Sequence, residues 1–272
     1  MPLQALEPHQ RLYRQIAEQL RTLITAGEFE VGQRLPAERD LAKQLGVSRP
    51  SVREALIAME VEGWVEVRTG SGVYVLNRSS RAGRSQASAA TQLSPDEWGP
   101  LELIRARRLI EGEIAFLAAT KAKRNHTDAM DKAIASMTAD ADQGLMPLEG
   151  DRAFHSALVE SSGNTVLIET VERFWDARRR PLFERLGDHF ETVSSWRAAI
   201  EEHKAILVAV RQHDPAAARL AMHQHLDNSH TRFSVSWVKA PKLKKLMNKT
   251  APEPSKNPSG ARLAHAPLIK SQ

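Results

Sequence analysis

Leu35-Pro36-Ala37-Glu38-Arg39-Asp40-Leu41-Ala42-Lys43-Gln44-Leu45-Gly46-Val47-Ser48-Arg49-Pro50-Ser51-Val52-Arg53-Glu54-Ala55-Leu56 sets two short helical patterns on either side of a glycine. Pro36 suits a first helical turn, where a missing N–H costs nothing. Gly46 ends the first pattern with the residue type that C-caps favour. Ser48 is a good N-cap for the second pattern, with Pro50 in its first turn. Such spacing predicts a helix-turn-helix. On the second helix Arg49 and Arg53 are four apart and share a face, with Ser51 between them. Val52 and Leu56 form a separate apolar stripe, placed to pack on Leu41 and Leu45. Guanidinium groups at the N-terminal end of a helix suit the major groove, because they bond in pairs to guanine O6 and N7. The alternative is a solvated face, paired with acids such as Glu54.

The following segment favours DNA. Trp64-Val65-Glu66-Val67-Arg68 alternates apolar and polar residues, the pattern of a strand with one buried face. Thr69-Gly70-Ser71-Gly72 reads as a turn, and Val73-Tyr74-Val75-Leu76 as a second strand. A hairpin directly after a helix-turn-helix is a wing. Its two glycines let backbone N–H groups approach phosphate or the minor groove.

The chain has 272 residues and no cysteine, which excludes disulfides and thiolate metal sites and points to a reducing cytoplasm. Residues 1–10 do not read as a signal peptide, and no apolar run approaches the roughly 18 residues of a membrane span. The net charge of +5 is not spread evenly. Its basic excess lies in a linker carrying Arg78, Arg81 and Arg84, and in a tail holding eight basic residues and one acidic residue after position 238. The DNA-binding expectation therefore rests on local arrangement, not on overall charge.

Leu12, Ile16, Leu20 and Ile24 give an amphipathic first helix ending near Gly27. Residues 79–91, rich in Ser, Ala and Arg, read as a flexible linker. From about residue 100 to 237 the pattern is helical, with breaks at Asn125-His126, residues 144–147, Ser162-Gly163-Asn164, Gly187-Asp188 and His213-Asp214-Pro215. About six helices and no strand predict an all-α antiparallel bundle. The tail reads as disordered. The expected organisation is a winged helix-turn-helix over 1–77, a linker over 78–97, a helical domain over 98–238 and a basic tail over 239–272. There is no internal repeat and no Gly-rich phosphate loop.

Within the bundle, Asp151 and His155 are four apart on one helix, while His203 and His225 fall on two later helices. Three helices converging would bring one carboxylate and three imidazoles together, a donor set suited to zinc, nickel, iron or manganese. The alternative is a set of hydrogen-bonded core histidines, with His203 paired to Glu201 or Glu202.

Together these residues resemble the GntR family of bacterial transcription regulators, in the FadR-type subgroup with a helical ligand-binding (FCD) domain. The resemblance spans about residues 11 to 235 and is most specific in residues 34–39, 47–56 and 69–73, with Arg107-Arg108-Leu109-Ile110-Glu111 and Asp151-Arg152-Ala153-Phe154-His155 in the second domain. It implies DNA contacts from Arg39, Ser48, Arg49, Ser51 and Arg53, supported by Thr69, Gly70, Ser71 and Gly72. It implies a divalent metal, zinc foremost, on Asp151, His155, His203 and His225. It implies an effector carboxylate at Arg107, for which the alternative is an ion pair with Glu111. Asn164 matches a recurrent position, a helix cap in the simplest reading. Arg105 and Gly112 depart from the family, which often has an acid and a proline there. Residues 57–68 are most similar to regulators of hexuronate and related sugar-acid catabolism.

The function implied is a homodimeric regulator, a repressor rather than an enzyme, binding a palindromic operator in double-stranded DNA. It would sense a small carboxylate such as a hexuronate. The rivals are a regulator for which the metal itself is the signal, and a metal-dependent enzyme fused to a DNA-binding module. Against the enzyme, no general base or nucleophilic triad is recognisable.

Overall fold

In a computed structural model the described residues are 11–77, 93–94 and 96–234; the linker expected over 79–91 and the tail lie outside them. Helix α1 (Leu12–Thr25) buries Tyr13, Ile16, Ala17 and Leu20 on α3, the spacing of one helical face. Helix α2 (Glu38–Leu45) is capped by Ala37 in extended backbone, so Pro36 precedes the helix instead of lying in its first turn. The cause is a neighbour that the local pattern does not reveal. Leu35 N donates to Val73 O (2.8 Å), and Val75 N donates to Gln33 O (2.9 Å). This stretch is thus held extended along the hairpin until the turn at Ala37. Gly46 closes α2 at φ 65°, a left-handed conformation that costs glycine little. Ser48 caps α3 (Arg49–Val61), its Oγ accepting from Ser51 N at 3.2 Å.

Helix α3 is the centre of the first domain. Val52, Ala55, Leu56, Ile57 and Met59 have no exposed surface. Strands β1 (Val65–Arg68) and β2 (Gly72–Val75) pair antiparallel, Val65 with Val75 and Val67 with Val73. These four valines are buried and β1 packs on α3. The period-2 alternation therefore sorts one face inward, as a wing requires.

Seven helices follow: α4 (Pro100–Lys121), α5 (Arg124–Asp142), α6 (Leu148–Glu160), α7 (Thr165–Arg178), α8 (Pro181–Phe190), α9 (Val193–Arg211) and α10 (Pro215–Ser234). The sequence predicts about six, because Gly187-Asp188 reads as a break. Instead Gly187 lies inside α8, and the chain turns at Arg179-Arg180 and Glu191-Thr192. Pro181 starts α8 at a position where its missing N–H is harmless. Asn164 is the cap that the simple reading gave, its Oδ1 accepting from Val166 N (3.0 Å) and Leu167 N (3.3 Å).

Helix α4 lies along α10, α10 packs on α9, and α5 fills the side between α6 and α9. Phe154, Met130, Met137 and Leu158 are buried in the core. Gly150 allows α6 to approach α5, since a Cβ there would meet Met137 Cγ at 2.6 Å. Gly112, a departure from the family pattern, lies where a Cβ would strike His223, so close packing of α4 on α10 requires a glycine. None of the described helices is long and apolar enough to cross a membrane.

The two domains touch through α3. Helix α8 packs on it, and α4 and α10 reach it at their ends. The segment entering α4 is docked as well: Tyr13 Oη donates to Glu97 O (2.9 Å), and Glu97 Oε1 accepts from Leu182 N (2.9 Å).

Candidate functional site

The expected reading edge forms a notch of about 460 Å³ between the starts of α2 and α3 and the wing, lined by Arg34, Arg39, Arg49, Arg68, Gly70 and Ser71 among others. The Arg39 side chain is 81% exposed and that of Arg49 is 48% exposed. Ser48 and Ser51 share a hydroxyl contact of 2.8 Å at the helix start. Gly70 and Ser71 are exposed at the wing tip, with Thr69 and Gly72 half-buried. Arg34 and Arg68 were not predicted. Arg34 lies over Gly72, in the space a side chain there would fill, and Arg68 lies over the Tyr74 ring at 4.5 Å. Only the folded wing turns these arginines into the notch; in sequence they read as ordinary polar positions.

Arg53 departs from expectation. It shares a spacing with Arg49 but not an environment, for its side chain is wholly buried. Its Nε and Nη2 donate to the Glu38 carboxylate at 2.8 and 2.7 Å, and its Nη1 donates to Phe233 O at 2.7 Å. The guanidinium also lies 4.8 Å from the Phe190 ring centre. The reason is tertiary. One turn beyond Arg49, α3 passes beneath α8 and the end of α10, and Glu38 closes over it from α2. In this arrangement Arg53 ties α2 and the helical domain to α3 and presents no face to a groove.

The second constellation converges as expected. Asp151, His155, His203 and His225 are all buried and offer ligand atoms within 4.8 Å of one another. His203 Nε2 is 3.2 Å from His155 Nε2 and 3.0 Å from Asp151 Oδ1. The opposite ring nitrogen of every histidine faces an acceptor. His155 Nδ1 is 2.5 Å from Glu111 Oε2, His203 Nδ1 is 2.7 Å from Ala199 O, and His225 Nδ1 is 2.8 Å from Glu202 Oε2. The hydrogen bonds at His203 and His225 fix the N–H on Nδ1 and turn the Nε2 lone pair inward, while His155 Nδ1 has the Glu111 carboxylate beside it without an aligned hydrogen bond. Lone pairs and a carboxylate oxygen then face one another in a buried space, and Asp151 Oδ1 accepts no hydrogen bond from the protein there. That arrangement is repulsive without a cation and suits one with N and O ligands. The residues fit a divalent metal.

Electrostatics agree at His225 and Asp151. Burial, aided by His203, pushes His225 down to about 3, which keeps the ring neutral as ligation requires. Burial would raise the Asp151 carboxyl, but the Arg178 guanidinium together with His155 and His203 outweighs it and holds the group well below its usual value. At His155 the reverse holds: Glu111 and Asp151 overcome burial and raise it, so a cation there must displace a proton. Glu202, read from sequence as a partner for His203, instead serves His225 and Arg232, the latter at 2.9 Å. Glu111 and Arg178 had no sequence signal for their roles, since they lie 44 and 27 residues from the groups they serve.

Arg107 lies in the wall of a cavity of about 30 Å³ beside this cluster, with Arg178, Glu191, Ser195, Trp196 and Arg232. The ion-pair alternative holds: Nε and Nη2 donate to Glu111 at 2.6 and 3.2 Å, and the guanidinium lies 4.8 Å from the Trp175 ring centre. Arg105 is exposed and adds no charge to the cavity wall.

Comparison with known proteins fits both halves. The profile of the bacterial regulatory proteins of the gntR family matches residues 12–75, and that of the FCD domain matches residues 102–228. The chain is 40% identical over 230 residues to the Exu regulon transcriptional regulator of Escherichia coli K12, covering 84% of this chain and 86% of that protein. It is 36% identical to the Uxu operon transcriptional regulator of the same strain, covering 82% and 87%. It is 30% identical to the HTH-type transcriptional repressor NanR of Klebsiella aerogenes, covering 86% and 88%. These relatives are regulators, not enzymes. With a winged reading domain joined to a buried imidazole cluster in a helical bundle, the chain belongs to the GntR family of transcription regulators, in its FadR-type subgroup with an FCD domain.

Proposed function

We propose that this regulator binds a palindromic operator as a homodimer, represses a sugar-acid catabolic operon, and is released by a hexuronate or similar carboxylate bound beside a metal, zinc foremost. The observation that carries the sensing half is the ring of acceptors that turns three imidazoles toward Asp151, next to a cavity walled by arginines. The names of the Exu and Uxu relatives favour hexuronates as the effector class.

Arg39 and Arg49 read base edges while Ser48, Ser51 and the wing from Thr69 to Gly72 contact phosphate, a division in which backbone contacts position and base contacts specify. Arg34 and Arg68 join the phosphate contacts. Arg53 positions α3. Asp151, His155, His203 and His225 would hold a divalent cation, which would supply a Lewis acid for a carboxylate or hydroxyl group. Around it, Glu111, Glu202 and the Ala199 carbonyl orient the ligating rings, and the arginines draw the anion in. The effector shifts the DNA-binding equilibrium by its differential affinity for the two states.

Thermal unfolding of the metal-loaded protein with galacturonate, glucuronate, fructuronate, lactate and citrate tests this reading. A ligand at a hundred times its Kd stabilises by about 2.7 kcal/mol. A rise in Tm from a hexuronate alone, with matching release from DNA, supports the reading. A rise from lactate or citrate alone removes the hexuronate, and no rise from any of them leaves the metal itself as the signal.

A further inference from the structure

The cavity beside the imidazole cluster is too small for the proposed effector. At about 30 Å³ it accommodates about one water molecule, so a six-carbon acid enters only if a side chain leaves. Arg178 shows which one. Its guanidinium lies 4.9, 5.1 and 5.9 Å from the ring centres of Trp175, Phe183 and Trp196. Its Nη1 donates to Asp151 Oδ2 at 2.6 Å and its Nη2 to Glu191 Oε1 at 3.3 Å. Its Nε is buried with no hydrogen-bond partner. A guanidinium fork donates to a carboxylate in bidentate fashion, and here the second carboxylate, Glu191, takes a single long hydrogen bond from it, with Trp196 and Arg232 also acting on that carboxylate. Of the two acids on Arg178, Glu191 is the weakly held one.

Glu191 is also the residue that follows α8, and its N donates to Gly187 O at 2.8 Å. Gly187 lies so close that a Cβ would be 3.3 Å from Glu191 Oε2, so the carboxylate is folded against the helix backbone. The other side of α8 grips the recognition helix. Arg185 donates to Glu60 at 2.6 and 2.9 Å, His189 Nε2 is 2.6 Å from the same carboxylate, and the Phe190 ring faces Arg53. One ten-residue helix thus joins the cavity to α3.

We propose that Glu191 is a built-in stand-in for the effector's carboxylate: it fills the anion position on Arg178 in the ligand-free protein, and its displacement by a sugar acid moves α8 against the recognition helix. The incoming carboxylate takes the Arg178 fork, and Ser195, Ser229 and Arg232 on the cavity wall meet the hydroxyls. This inference rests on the sensing function proposed above, and names the residue that the effector replaces.

The test uses metal-loaded full-length protein and Glu191→Gln, with Glu149→Gln, an exposed acid on α6, as control. Hydrogen exchange over residues 181–190 and 49–61 is measured without ligand, and galacturonate binding by calorimetry. Glu191→Gln is expected to bind galacturonate at least about 5-fold tighter, the low end of common coupling. Its ligand-free α8 is expected to exchange as fast as that of the wild type saturated with galacturonate, while the control matches the wild type. Glu191→Asp, which keeps the charge on a shorter arm, is expected to fall between them and serves if Glu191→Gln folds poorly. Unchanged α8 exchange in both variants overturns the stand-in, even where the wild type binds galacturonate. Faster α8 exchange in a protein that binds no galacturonate supports the stand-in and removes the hexuronate reading instead.

Discussion

The reading edge and the helical domain use arginine in opposite ways. At the edge, Arg39 and Arg49 stand largely in solvent, where their pairings with neighbouring acids are weak. They remain available to phosphate and bases at little cost. In the helical domain Arg107 is buried and the Arg178 side chain is only 10% exposed, and both are already bonded to carboxylates of the chain. A ligand there has to compete for them. Exposed charge recruits a partner, whereas buried charge stores an arrangement that a partner must replace. Arg53 shows that the boundary follows burial and not the helix, since it lies on the reading helix yet is treated like the buried group.

The largest effect is expected at the centre of the buried region. His203→Ala removes one of the four proposed ligands and is expected to abolish stoichiometric metal retention after dialysis, read by elemental analysis, while DNA affinity in low salt persists. Metal retained at full stoichiometry would break the assignment of the cluster.

Next is the joint between the regions. The Glu60 side chain is largely covered, and hydrogen bonds from His189 and Arg185 overcome the burial penalty and hold it down at about 2. Glu60→Ala is expected to cost about 2–3 kcal/mol in urea unfolding, discounted because Arg185 is partly exposed. A loss under half of that would mean that α8 is not fastened to α3 by charge.

At the edge itself, Arg49→Ala is expected to cost about 1–3 kcal/mol of operator affinity and to relax sequence preference, measured by competition with altered duplexes. Arg53→Ala should instead lower stability first. If the two variants behave alike, the division between exposed and buried arginine fails.

Glu54 sharpens the comparison through pH. It lies buried between α3 and the start of α4, accepting from Leu101 N at 2.6 Å, and burial pushes it up to about 7. Its folded pKa is above its usual value, so its contribution is full in acid and is lost as pH rises through about 7. The wild type should lose stability relative to Glu54→Gln between the ordinary value of 4.5 and about pH 7 and change no further above that; parallel urea midpoints across that window would refute this. The smallest effect is expected at Arg105. Being exposed, Arg105→Ala should change Tm and effector response little, within about 0.5 kcal/mol.

Much of the first domain was legible because its signals are local. A glycine C-cap, a serine N-cap and an alternating hairpin each act over a few residues, and Gly46, Ser48 and Val65 with Val75 fall where those rules place them. The four residues of the imidazole cluster were legible as candidates by residue type and by the family resemblance, but not as a site. What makes them one is the set of groups behind the rings, Glu111 and Glu202 among them, brought in by packing of α4, α6, α9 and α10. Pro36 and Gly187 misled for different reasons. Pro36 is overruled by a neighbour distant in sequence, the Val73 carbonyl that holds Leu35 extended, whereas Gly187 is read by its habit as a breaker although it lies inside α8 with the Glu191 side chain folded against it. Arg53 was invisible as a buried residue because its partners on α8 and α10 lie more than a hundred residues away.

The most direct measurement is titration of galacturonate into metal-loaded protein bound to a duplex selected from random sequence, followed by fluorescence anisotropy. The account predicts a palindromic selected site, saturable release by galacturonate, and no release in an Arg178→Ala variant that keeps its metal. A duplex that stays bound at saturating galacturonate, or an Arg178→Ala complex released as readily as the wild type, would contradict it.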